Sequence, residues 1–191
     1  KHFSHTRYKP WPRVSAFLAT VPVGSLVADV GCGNGKYLWG HEHLHMVGSD
    51  SALTFAEVVK AKCPSAQFVV ADNLCLPFRS AVFDYAISIA VLHHFSTAER
   101  RACAAAELLR VLRPGGVALI YVWAFEKAKE LPAQDVFVDW NNQRKYEDNA
   151  IEGVTPRTEN AAKSTVVYKR FYHLFKGGEL DKLLQVASEQ S

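Results

Sequence analysis

Leu26-Val-Ala-Asp-Val-Gly-Cys-Gly-Asn-Gly-Lys36 reads as an apolar strand that ends on an acid and runs into three alternate glycines. Gly31, Gly33 and Gly35 accept backbone angles that a Cβ disfavours, so the main chain there can approach a ligand closely. Asp29 stands where a carboxylate reaches the loop's own amides or a ligand cation. The G-x-G-x-G spacing is tighter than the G-x-G-x-x-G of dinucleotide-binding turns, which argues against a nicotinamide cofactor. Taken alone, the stretch is also compatible with a purely structural loop.

Three further signals lie at fitting distances. Asp50 follows a short segment read as helical and stands 21 residues beyond Asp29, where the tip of a second parallel strand meets ribose hydroxyls in α/β folds. Its competing role is to cap a helix over 52–62, which Ser51 can also do. Ala71-Asp72-Asn73 ends the apolar run that starts at Gln67, placing side-chain acceptors for an exocyclic amine; a plain Asx turn is the alternative. Leu112-Arg-Pro-Gly-Gly116 stops a helix and leads into an apolar strand from Val117 to Trp123.

With Leu76-Pro-Phe and Phe83-Asp84, these pieces stand in the order seen in class I S-adenosylmethionine-dependent methyltransferases, which the chain resembles. The resemblance implies a Rossmann-like α/β fold with a mostly parallel central sheet and helices on both faces. It also implies S-adenosylmethionine as cofactor, with Gly31, Gly33 and Gly35 along its methionine end and Asp50 at its ribose. Asp72 and Asn73 would meet the adenine, and Ile89 would add apolar contact.

Strands are expected at about 26–30, 45–49, 67–71, 83–89 and 117–123, with helices between them, the alternation that builds a parallel sheet. An N-terminal helix is expected from Pro12, and a helix over 97–112 with a Ser96/Glu99 capping box and Arg100, Arg101 and Glu107 on its wet side. Residues 124–164 carry a weak pattern. The family's usual antiparallel sixth and seventh strands are not evident; either they lie beyond the sequence, or residues 164–171 supply one strand of an incomplete sheet. The 191 residues are 49% hydrophobic, enough for one domain with a substantial core. Four cysteines without a C-x-x-C pair suggest neither a zinc site nor a disulfide framework, and point to a reducing, cytoplasmic setting. No apolar run has the length of a membrane span.

Phe3-Ser-His-Thr-Arg-Tyr-Lys-Pro-Trp-Pro-Arg13 and Val167-Tyr-Lys-Arg-Phe-Tyr-His-Leu-Phe175 lie outside the cofactor motifs. With Leu92-His-His-Phe and Ala118-Leu-Ile-Tyr-Val-Trp-Ala124, they resemble the eukaryotic tRNA carboxymethyluridine methyltransferases over nearly the whole chain. The resemblance implies esterification of 5-carboxymethyluridine at the tRNA wobble position, and a heterodimer with a small zinc-binding activator protein. His93 and His94, past the fourth strand, are candidates for orienting the acceptor; either equally suits packing or capping. Tyr8, Lys9, Trp11 and Arg13 are candidates to fold over the cofactor and nucleotide, against simple packing. Trp123 is read as a stacking surface for uracil or as core. Lys169, Arg170, Tyr172 and His173 mix cations and aromatics as a binder of single-stranded anticodon loop does.

The net charge of +3 permits tRNA binding without demanding it. Basic clusters stand at Arg7, Lys9 and Arg13, and at Lys163, Lys169, Arg170 and Lys176; a solvated face is their default. Parallel sheets of this kind leave the third strand at an edge. Phe68, Val69 and Val70 there carry no guarding lysine or proline, so the activator is expected to add at this edge. Two other functions fit the motifs: methyl transfer to a small quinone-like acceptor, which does not require the two terminal segments, and a non-catalytic scaffold of the same fold.

Overall fold

The structure, a computed structural model, describes residues 9–127, 131, 133–143, 157–160 and 165–189. Tyr8, Arg7 and Lys163 lie outside the described residues. Helix α1 (Pro12–Thr20) starts with proline in its first turn, where the missing N–H is not needed. Strands β1 (Leu26–Val30), β2 (His45–Asp50), β3 (Gln67–Val70), β4 (Phe83–Ile89) and β5 (Leu112–Tyr121) form one sheet in the order β3-β2-β1-β4-β5. Every pairing in it is parallel. Helix α2 (Leu53–Lys62) links β2 to β3, and α3 (Ala98–Arg110) links β4 to β5.

Consecutive β1 side chains alternate between two cores, which is why the strand reads as continuously apolar rather than alternating. Val27 joins Val14 and Leu18 of α1 and Val59 of α2 on one face. Ala28 and Val30 join Phe83, Leu108 and Val111 on the other, under α3. Asp29 falls on the face of Val27, the only carboxylate in a strand otherwise made of small and branched apolar residues.

Several local expectations are corrected. Residues 31–44, between β1 and β2, form turns and bends rather than a helix. Gly31, Gly33, Gly35 and Gly40 all have positive φ, and four left-handed residues in ten exclude a right-handed helix. The cap of α3 is Thr97, whose side chain accepts from the Arg100 amide at 3.2 Å, in place of Ser96. Arg101 is buried rather than wet, and its Nη1 donates to the Phe95 carbonyl at 2.8 Å. Strand β5 begins five residues earlier than expected, but its register breaks: Phe83 pairs with Leu112, and Tyr85 already pairs with Val117. Pro114 has no N–H for the ladder, and a Cβ on Gly116 would fall 2.9 Å from the Arg113 carbonyl oxygen.

The weakly patterned segment and the residues after it hold β6 (Asp135–Gln143), β7 (Arg157–Asn160) and β8 (Thr165–His173), an antiparallel sheet in the order β6-β8-β7. The expected strand near 164–171 is therefore present, but it pairs with its own neighbours rather than with β5. Beyond β8 the chain touches the large sheet's continuation: the Phe175 amide donates to the Trp123 carbonyl, and the Phe125 amide to the Phe175 carbonyl, both at 2.9 Å. Helix α4 (Glu179–Ser188) then packs Leu180 and Leu183 beside Phe175 and Ala104. These links hold the small sheet at the C-terminal end of the large one.

Candidate active site

A cavity of about 300 Å³ opens at the carboxyl ends of β1, β2 and β4, the crevice where open α/β sheets bind ligands. Its floor is the glycine loop. The Gly31 and Cys32 amides both donate to the Ser49 carbonyl, at 2.8 and 2.9 Å, which folds the loop onto β2. A Cβ on Gly31 would fall 2.5 Å from Val91 Cγ2 and 3.2 Å from Asn73 Nδ2, so only glycine keeps this wall open.

Asp50 holds the loop from the side. Its Oδ2 accepts from the Gly33 amide and its Oδ1 from the Ala52 amide, both at 3.0 Å, and α2 has no side-chain cap. A carboxylate carries about four acceptor sites, so these two bonds leave capacity for hydroxyls in the cavity. At the next strand tip, Asp72 forms the Asx turn as well as lining the cavity: its Oδ1 accepts from the Leu74 amide at 2.9 Å. Asn73 is buried with its Oδ1 lacking a hydrogen-bond partner, a ready acceptor for an amine. Ile89 ends β4, and Ala90 just beyond it sits at φ +64, a strained angle for a residue with a Cβ; both line the cavity.

Asp29 lies beneath the loop, 1% exposed, with its Oδ2 also lacking a partner. Burial pushes its carboxyl up to about 7; Lys36 nearby pulls it down and Asp50 pushes it further up. A small amphipathic cavity, a backbone-lined glycine wall and two buried acceptors fit S-adenosylmethionine, which carries an adenine amine, ribose hydroxyls and a zwitterionic methionyl end.

On the open side, Trp11, Lys36, His94, Phe95 and Arg170 complete the lining. Trp11 is fixed by its amide, which donates to the Tyr37 hydroxyl at 3.1 Å, and by an edge contact with Tyr121. The Lys36 ammonium sits 5.0 Å from the ring centres of both Trp11 and Tyr37. His94 Nδ1 lies 3.2 Å from the Phe171 carbonyl oxygen. A carbonyl only accepts, so Nδ1 carries a proton and donates.

Other expected acceptor-side residues are not brought into this cavity. His93 is fully buried, its Nδ1 accepting from the Trp123 amide at 3.3 Å, and it stacks on Tyr172. Trp123 itself stacks on Tyr172 at 4.5 Å and 20°, so that ring face is filled by the protein. Tyr172 is buried in the same cluster. His173 is buried between two carboxylates, Asp135 at 2.6 Å and Glu179 at 2.7 Å, tying β6 and β8 to α4. Lys9, Arg13 and Lys169 are exposed outside the lining. Lys36, Phe55 and Phe95 line the cavity without having been singled out in the sequence. For Lys36 a signal existed, since it directly follows the last glycine of the loop.

Residues 28–120 match the family model described as a methyltransferase domain. The SAM-dependent methyltransferase of Methanosarcina mazei superposes with a TM-score of 0.67 at 19% identity, over 94% of this chain and 84% of that one. A putative methyltransferase of Haloferax volcanii, solved in complex with a methyltransferase activator, gives 0.54 at 23% identity over 60% of this chain and 53% of that one. Sheet order, cavity and these matches define a methyltransferase domain of the Rossmann-like class. A tRNA (carboxymethyluridine(34)-5-O)-methyltransferase of Schizosaccharomyces pombe is 42% identical over 192 residues, covering 97% of this chain and 82% of that protein. The chain belongs to this tRNA methyltransferase family. It spans 52% of the length of the Saccharomyces cerevisiae relative of the same description.

Proposed function

We propose that this chain methylates the carboxylate of 5-carboxymethyluridine at the tRNA wobble position, using S-adenosylmethionine and giving the methyl ester. The observation that carries the proposal is the meeting, in one cavity, of the glycine loop and Asn73 with His94 and Arg170. When bound, the donor supplies an electrophilic methyl group on a sulfonium sulfur. Asp50 receives ribose hydroxyls, Asn73 Oδ1 accepts from the adenine amine, Asp72 and Ile89 flank it, and the backbone at Gly31, Gly33 and Gly35 runs along the methionyl end.

The acceptor needs no general base, because a carboxylate with a pKa near 4 is already ionised at neutral pH. The chain's task is alignment, which can remove several kcal/mol from the barrier. Arg170 draws the anion to the cavity. His94, its ring fixed by the Phe171 carbonyl, and Trp11, held by Tyr37, limit how the nucleobase sits. A small-molecule quinone acceptor gives no reason for a cation on the acceptor wall, and a scaffold gives none for the open glycine cradle.

The activator partner belongs to the same proposal. Strand β3 is an edge of the large sheet, and Val70 on it is 46% exposed. Phe68, Val69 and Val70 suit strand addition by the activator. Free cysteines throughout suit a cytoplasmic setting, and among the described residues no helix is long and apolar enough to cross a membrane. The test is transfer of labelled methyl to two anticodon stem-loops, one carboxymethylated and one unmodified, with the activator present. Label is expected in the first alone; equal labelling of both would refute the acceptor.

A further inference from the structure

Strand β8 is held unevenly along its length. Over residues 165–168 it lies between β6 and β7, whereas from Lys169 to His173, among the described residues, β6 alone pairs with it. On the side left open, the Phe171 carbonyl meets His94, and the adjacent Arg170 lines the cavity. The grip on this stretch comes from its end. His173 is buried there, with Nδ1 2.6 Å from Asp135 Oδ1 and Nε2 2.7 Å from Glu179 Oε1. A carboxylate only accepts, so the clamp is complete with a proton on each ring nitrogen. Glu179 is anchored in turn, its Oε2 accepting from Gln134 Nε2 at 2.8 Å and from the Lys176 amide at 2.9 Å. Arg101 of α3 interacts electrostatically with both carboxylates, and its Nη1 holds the carbonyl of Phe95. One end of this charged set is thus β8 beside Arg170 and the other is Phe95, and both of those residues line the cavity.

Resting on the acceptor assignment above, we infer that His173, gripped by Asp135 and Glu179, is a positioning residue for methyl transfer: it sets where Arg170 and the Phe171 carbonyl stand against His94. His173 lies outside the cavity lining and acts through the strand. Arg170 is three residues away, about 10 Å along β8. Buried charges are a poor source of stability, since apolar residues of similar volume often serve as well. Two directed bonds do what apolar packing does not, which is to fix one position of the strand. Losing the grip lets the acceptor wall shift, and small misplacements at a reacting centre cost rate steeply. Donor affinity is untouched, because the glycine loop, Asp50 and Asn73 belong to the large sheet and its loops.

The test compares the native chain with His173→Gln, Asp135→Ala and Asp135→Asn, each with the activator, on the carboxymethylated anticodon stem-loop. Calorimetry with S-adenosylhomocysteine counts intact donor sites, and kcat is expressed per site, so a loss of folded protein does not mimic a loss of rate. His173→Gln and Asp135→Ala are expected to lower kcat per site about tenfold, with S-adenosylhomocysteine affinity and the stem-loop KM within about twofold of native. Asp135→Asn is expected to keep kcat within about threefold, because its amide can still accept from or donate to Nδ1. The Asp135 side chain is 59% exposed, so its variants do not depend on repacking a core. Native kcat per site in His173→Gln and Asp135→Ala overturns the positioning role and leaves the acceptor assignment standing, as does an equal loss in Asp135→Asn and Asp135→Ala. Absence of transfer by the native chain overturns both.

Discussion

Asp29 carries a stability cost that its surroundings make calculable. Its folded pKa is about 7, against an ordinary 3.8. The folded state therefore favours the neutral acid, and this stabilisation is complete below about pH 4 and lost as pH rises through 7. Asp29→Asn is expected to leave stability unchanged at pH 4 and to raise it at pH 8 by up to about 4 kcal/mol, read from urea midpoints of the ligand-free protein. Equal effects at both pH values would contradict the burial argument. The adjacent histidines separate in a similar way. His93 is core, so His93→Ala is expected to cost about 2–4 kcal/mol of stability through the space it leaves. His94→Ala is expected to change the unfolding midpoint little and to lower the transfer rate at least tenfold, measured side by side. Sequence reading grouped the two histidines because both follow the fourth strand; only the turn at Leu92–His94 decides which one faces the cavity.

At the scale of elements, the first three strands were legible because each is a short apolar run with Gly31, Asp50 or Asp72 at its end. The connection after β1 was not, since the segment before Asp50 read as helical holds glycines whose positive φ is visible only in the fold. Arg101 misled for a related reason. It has the composition of a wet helix face, yet α4, from much later in the chain, packs beside it, with the Asp135 and Glu179 carboxylates opposing the burial that lowers its pKa. Tyr172 and His173 resembled a nucleotide-binding pair, but long-range pairing put one into an aromatic stack and the other between two acids. The edge strand was predictable from order alone. Val69→Asp is expected to weaken activator binding at least tenfold in a pull-down titration while the free chain keeps its unfolding midpoint within about 1 kcal/mol. Unchanged affinity would move the partner to another surface.

For the whole molecule, the proposed function assigns the donor to the large sheet and the acceptor wall to the small sheet, with α4 behind it. Arg170 and the Phe171 carbonyl join the two halves at His94. Lys9, Arg13 and Lys169 are exposed cations outside the cavity lining, near in sequence to the lining residues Trp11 and Arg170. Charge reversal at Lys169 is expected to weaken tRNA binding several-fold at low salt and hardly at all at high salt, with donor affinity unchanged in both. The central claim is that the methyl group lands on a carboxylate oxygen. Its most direct measurement is the fate of labelled methyl after transfer to carboxymethylated anticodon stem-loop and brief treatment with mild alkali. The label is expected to leave as methanol; label that stays on the nucleoside, as a base or ribose methyl does, would contradict the account.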